Sequence, residues 1–385
     1  MLKKVFFSIL LIFIQLTIQA QDAKTRWVDS VFQTLNTHEK IGQLFMISAS
    51  AYNNEEELEQ LTSMIKNYHP GGILITQGGP QSHANLINKL QGESSVPLLV
   101  GIRAAWGLSQ SLDSVISFQK PMVLGSIQNN DLVYNLGKEI AREMSVLGIH
   151  VNFAPNADFA IDSQSYPNTL SYFSDNAKRT GEKAISFTKG LQQNGALVCT
   201  IHLPELTKPK ITETRDSTLF LNINKIDSIG LSVFYQLSDQ GIDGILTSNL
   251  HFTPPEQSMN SPATQIFMPE ILKSRLNFKG VVFGDITYLE KLAGNQQAGE
   301  IEKLALEMGH DMLINPNDLA GAVKKISKAI KKDKALQARL NEAVKKVLAA
   351  KYKAGLYNHQ SINTDNLVSR INSPSAKLLK HQLSE

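Results

Sequence analysis

From residue 41 onward, short apolar runs alternate with longer stretches in which apolar positions recur every three or four residues. That alternation is the pattern of strand and helix units wound around a parallel sheet. The strand candidates are Leu44 to Ile47, Gly72 to Thr76, Leu98 to Ile102, Val151 to Ala154, Leu197 to His202, Gly244 to Thr247, Val281 to Gly284 and Asp311 to Ile314. Eight such runs predict an α/β fold, a closed (β/α)8 barrel of the TIM type in a single domain with C-terminal helices. An open doubly wound sheet would alternate in the same way, but no glycine-rich phosphate loop follows the first run. Helices are predicted over Asp131 to Leu147, Ser174 to Asn194, Ile226 to Gln240 and Gln297 to Met308. Pro316 opens a Lys-rich helix whose Lys324, Lys325, Lys328, Lys331 and Lys332 alternate with Ala322, Val323, Ile326 and Ile330, which reads as the wet face of an amphipathic helix. A second helix runs from Lys334 to Tyr357. The polar tail from Asn358 to Glu385 ends in a helical run, Pro374 to Leu383, with no core of its own to join.

The N-terminus changes the address. Met1-Leu2-Lys3-Lys4, an apolar run from Val5 to Ile14 and a more polar stretch to Ala20 have the layout of a secretory signal peptide. The apolar run is too short for a stable span, so residues 1–20 are set aside as a leader and the product is expected in the periplasm or outside the cell. No membrane span is expected after cleavage, and no Cys follows Ala20 to carry a lipid. The leader holds Lys3 and Lys4; without them the 38 basic residues fall by two and exceed the 35 acidic ones by one. A nearly neutral chain offers no electrostatic case for nucleic acid. The single Cys199 cannot form an internal disulfide, and its apolar neighbours mark it as buried filler. The remaining chain, residues 21–357 plus the tail 358–385, can bury a large core as a monomer.

In a barrel of this kind the working residues stand at the carboxyl ends of the strands and in the loops that follow. Those positions are Arg103 to Gly107, Pro155 to Asp158, His202 to Thr207, Ser248 to His251, and Asp285. No His, Cys or carboxylate cluster there has metal-ligand spacing, so no metal and no cofactor is expected.

Three segments carry a resemblance. Gly148-Ile149-His150-Val151-Asn152-Phe153-Ala154-Pro155-Asn156-Ala157-Asp158, Ile201-His202-Leu203-Pro204 and Phe278-Lys279-Gly280-Val281-Val282-Phe283-Gly284-Asp285 resemble the barrel domain of glycoside hydrolase family 3, in its β-N-acetylglucosaminidase branch. Glu307-Met308-Gly309-His310-Asp311-Met312-Leu313 is similar to the family's last strand, and the likeness spans about residues 37 to 357. The resemblance implies a retaining glycosidase in which a strand-seven carboxylate attacks the anomeric carbon and a second group protonates the leaving oxygen. Asp285 matches the nucleophile. The branch's proton donor, a His in an Asp-Ser-His motif, falls on Thr214-Arg215-Asp216, so Asp216 occupies the place of the missing acid.

Other departures accumulate. The branch's Lys-His-Phe-Pro-Gly-His-Gly is replaced by Ile201-His202-Leu203-Pro204-Glu205-Leu206-Thr207, and its Asp-Ala-Glu-Trp-Gly by Arg103-Ala104-Ala105-Trp106-Gly107. An arginine has donors only and cannot accept hydrogen bonds from sugar hydroxyls. A sugar-binding Arg corresponds to Leu170, and an Ala-His pair to Ser248-Asn249. Two readings follow. In one, the barrel is a catalytically impaired relative that binds a glycan, a peptidoglycan fragment or a protein partner. In the other, it is an atypical hydrolase with Asp216 or Glu205 as acid and Asp285 as nucleophile.

Each position also has a plainer reading. His202 could be a hydrogen-bonded strand-end residue and Trp106 a packed corner; Asp158 could fasten its loop, and Asp216 and Glu205 could be solvated. Two structural expectations complete the picture. Arg103 is long enough to reach Asp285 across the rim, and its planar fork suits a bidentate pair that fills the sugar subsite. The final helix should be weakly docked, because in multidomain relatives a similar segment leads into a second domain.

Overall fold

The computed structural model describes residues 22–159, 169–203, 231–247, 272, 276–287 and 299–385. Eight parallel strands close into a barrel in chain order: β1 Phe45–Ala49, β2 Gly72–Ile75, β3 Leu99–Ile102, β4 Val151–Asn152, β5 Leu197–Leu203, β6 Gly244–Thr247, β7 Val281–Asp285 and β8 Met312–Ile314. Every predicted strand is present, and β1 pairs with β8 through Met46 and Ile314 to close the ring. The leader falls outside the described residues, as does the first part of the helix predicted from Ile226, of which Ser232–Asp239 is seen.

Alternation along each strand fills the barrel. Leu99, Cys199, Leu246, Val281, Phe283 and Met312 form one interior cluster, in which Phe153 and Phe283 meet edge to face with centroids 5.1 Å apart. Glycine makes room for both rings. A β-carbon on Gly101 would lie 2.7 Å from the Phe153 ring, and one on Gly244 would lie 2.8 Å from the Phe283 ring. The outward faces pack against the helices in a second, larger cluster.

The amino ends of the strands are closed from below. Val347, on the Lys334–Lys353 helix, and Leu356, in the turn after it, join the interior cluster. That helix stops at Lys353 rather than running to Tyr357, because Gly355 takes φ +80° and a 3-10 turn, Leu356–Asn358, follows. The Lys-rich helix begins at Leu319, where Asp318 accepts from the Gly321 amide at 2.8 Å. The charges at this end tie elements together. Asp311, fully buried, pairs with Arg339 at 2.6 Å and Lys346 at 3.1 Å, and Lys351 donates to Gln43 Oε1 at 2.6 Å.

The tail corrects an expectation. It does not hang free: Leu367, Ile371, Ala376, Leu379 and Leu383 are all buried, while Leu378 is 61% exposed. Their spacing lays one apolar stripe along helices Leu367–Ile371 and Pro374–Gln382, and both pack on the Asn130–Val146 helix. Burying that stripe against the barrel's own helix layer supplies the partner that the sequence did not reveal. Among the described residues, no helix is long and apolar enough to cross a membrane.

Candidate active site

The inward positions of β3 continue from Leu99 and Gly101 to Arg103, and those of β7 run Val281, Phe283, Asp285. Arg103 and Asp285 therefore stand one layer above the packed interior, at the carboxyl rim. Arg103 Nη2 donates to Asp285 Oδ2 at 3.1 Å, with the arginine side chain 31% exposed and the aspartate 4%. The expected pair is present, but as one bond rather than a bidentate fork. The reason lies on the other oxygen: Asp285 Oδ1 accepts from the Thr287 amide at 3.1 Å and faces Asn315 Nδ2 at 3.5 Å.

Asn315 was not singled out from the sequence, nor was Ser48. Asn315 follows β8 with φ +56°, a left-handed geometry that Asn tolerates better than most side chains. Ser48, an exposed position on β1, donates to Asn315 Oδ1 at 2.5 Å and so turns the amide nitrogen toward Asp285. A small polar residue in an otherwise apolar strand, and an Asn just before Pro316, were the available signals.

The loop after β3 is built to hold Arg103. Asn152 on β4 receives the Ala104 amide and donates to the Ala104 carbonyl, both at 3.1 Å. Ser111 Oγ donates to the Arg103 carbonyl at 2.9 Å, and the Ala105 amide donates to Gln110 Oε1 at 2.6 Å. Trp106 is half-buried against the outer core, with Lys120 Nζ 5.8 Å from its ring centroid.

The other candidates are dispersed. Asp158 is buried, in a segment fastened to β5 by the Ala157 amide on the Ile201 carbonyl at 2.8 Å. Ile201 is partly buried on the barrel interior, whereas Leu170 is 45% exposed on the short turn Thr169–Ser171. His202 is a β5 residue whose side chain lies outside the described residues, and Glu205, Asp216, Ser248 and Asn249 lie outside them altogether.

Buried His310 explains one retained motif without chemistry. His310 Nδ1 contacts the Ala305 carbonyl at 2.9 Å, which requires the proton there, so Nε2 accepts from Thr247 Oγ1 at 2.9 Å. Burial lowers its pKa, and the neutral ring joins β6 to the segment before β8.

Among the described residues, the rim thus offers one desolvated carboxylate, its lone pairs directed to N–H donors that follow β3, β7 and β8, beside a cation with donors to spare. A carboxylate so engaged is a weak nucleophile, and a guanidinium over it suits a ligand that brings acceptor oxygens.

The sequence from residue 36 to 350 matches the model of the glycosyl hydrolase family 3 N-terminal domain. A β-N-acetylglucosaminidase/β-glucosidase of Cellulomonas fimi is 23% identical over 347 residues, covering 86% of this chain and 60% of that protein. This chain therefore spans about 60% of that relative's length. A β-hexosaminidase of Haemophilus influenzae strain PittEE is 26% identical over 319 residues, covering 76% of this chain and 86% of its own. Among solved structures, β-glucoside phosphorylase BglX bound to 2FGlc superposes with a TM-score of 0.83 at 18% identity, over 94% of this chain and 67% of that one.

Proposed function

This chain belongs to glycosyl hydrolase family 3 and is β-hexosaminidase-like, and on that premise we propose that it is an exported binding protein for N-acetylhexosamine-containing glycan, peptidoglycan fragments included, that no longer hydrolyses it. The observation that carries this reading is the Arg103–Asp285 pair at 3.1 Å. A retaining enzyme needs its nucleophile free to meet the anomeric carbon and a second group to protonate the leaving oxygen. Here the nucleophile's position is occupied by an ion pair, and the sequence has Asp216 where the branch has its proton-donating His. Arg103 also replaces a hydrogen-bond acceptor by donors, which suits sugar oxygens or a carboxylate on a ligand better than it suits sugar hydroxyl protons. In this reading the barrel keeps a concave rim for a glycan and has lost the groups that are stronger partners of the transition state than of the substrate.

The test is titration calorimetry with soluble chitooligosaccharides and with muropeptides. We expect saturable binding that weakens by roughly tenfold on Arg103→Ala, the loss of one or two charge-assisted hydrogen bonds. Equal affinity of the two proteins, or no binding to either glycan class, would overturn the reading.

A further inference from the structure

The docked tail meets the loop that carries Arg103 and Trp106 at its outer side. Asn372, just past the Leu367–Ile371 helix, accepts from the Ile116 amide at 2.9 Å and donates to the Ser114 carbonyl at 2.8 Å. One side chain thus brackets Val115 and holds the carbonyl of Ser114, which takes φ +59° although it is not glycine. That conformation costs a non-glycine residue free energy, and it persists where neighbouring contacts hold it. Three residues past Ile116, Gln119 Nε2 donates to Ser384 Oγ at 3.0 Å, so the tail holds the segment at both ends.

The tail is itself anchored. Arg142 Nη1 donates to the Arg370 carbonyl at 2.8 Å and Nη2 to the Ile371 carbonyl at 2.7 Å, and Glu139 binds the guanidinium at 2.6 Å. These bonds cap the last carbonyls of the Leu367–Ile371 helix and fix the residue that follows, which is Asn372. From Ser114 and Ile116 the constraint reaches the site by two short routes. The Phe118 amide donates to the Trp106 carbonyl at 3.3 Å, and Ser111 Oγ, three residues before Ser114, holds the Arg103 carbonyl.

We infer that the C-terminal tail is a strap that sets the loop after β3, with Asn372 the positioning residue for Arg103 and Trp106. The strap acts through backbone geometry and does not touch the Arg103–Asp285 pair itself. Its effect on ligand affinity rests on the binding function proposed above; its effect on the loop does not.

Hydrogen exchange on the full-length chain separates the two. In Asn372→Ala, amides over residues 104–119 should exchange roughly tenfold or more faster, the loss of two hydrogen bonds, while the β-strands and the Asn130–Val146 helix keep their rates. Asn372→Asp keeps the acceptor for Ile116 and loses the donor for Ser114, so a smaller rise is expected. The chain has two tryptophans, Trp27 and Trp106, so in a Trp27→Phe background acrylamide quenching should report Trp106 and should rise with Asn372→Ala. Gln119→Ala removes the second tail contact, to Ser384, from the loop side, and is the variant to use should Asn372→Ala fail to fold; faster exchange over 104–119 is expected there too. Unchanged exchange over 104–119 with faster exchange confined to the tail would overturn the inference, and so would a uniform rise across the whole chain. Loss of glycan binding plays no part in either outcome.

Discussion

Asp285 is almost fully shielded from water, and a carboxylate in that position is tolerable only because N–H donors surround it. Among the described residues Arg103 provides the one formal charge paired with it, but its own side chain is 31% exposed, so the pair is partly screened. Removing the arginine should cost roughly 2 kcal/mol, between the values for exposed and for buried pairs. Asp285→Asn should recover part of that loss in the Arg103→Ala background, because the uncompensated charge is then gone. Urea denaturation of the two single variants and the double variant measures the coupling, and we expect it to be about 1 kcal/mol or more. Strict additivity would mean that the two groups do not stabilise one another. At this scale the sequence was informative for residues that end a strand, since position and charge type alone placed Arg103 opposite Asp285. It was uninformative for Ser48 and Asn315, whose contribution depends on a left-handed backbone and on a contact between β1 and the end of β8.

The Lys334–Lys353 helix shows how an element can carry a cost for closing a barrel. Lys351 sits on its buried face with Gln43 as its hydrogen-bond partner, and burial brings its pKa from 10.5 down to about 7. Between about pH 7 and 10.5 the unfolded chain therefore holds a proton that the folded chain lacks, so folding stability should rise with pH across that window. Lys351→Met removes the titrating group and leaves Gln43 Oε1 without this donor, so the level of stability is set by two opposing changes. The slope is the cleaner readout: chemical denaturation at several pH values should give a flatter profile for the variant between pH 7 and 10.5, and parallel profiles would contradict the assignment. Nearby His150 shares the environment; its pKa falls to about 3 through burial and the positive charges of His359 and Lys351, and its Nδ1 accepts from the Val100 amide at 3.0 Å. These groups lie at the amino ends of the strands, where a barrel of this type keeps stability rather than chemistry. The strands were legible because apolar runs of the right length recur eight times. The tail's docking was not, because a stripe such as Leu367, Ile371, Leu379 and Leu383 announces that it will be buried and does not say against what.

Across the whole molecule, the two ends of the barrel have diverged in kind. The lower end is closed by a helix and tied by ion pairs, while the upper rim holds the Arg103–Asp285 pair on a loop that the tail braces. The fold is that of family 3, and in the reading proposed above Arg103 in place of an acceptor accounts at once for a retained carboxylate and for its lack of a free face. The central claim is that this carboxylate no longer acts as a nucleophile. It is tested most directly by following release of the aryl group from an aryl N-acetylglucosaminide by the purified full-length protein, beside its Asp285→Asn variant. The account predicts rates indistinguishable from the blank for both proteins. Turnover by the unmodified protein that disappears in Asp285→Asn would contradict it, and would point to a working retaining enzyme with Asp216 or Glu205 as its acid.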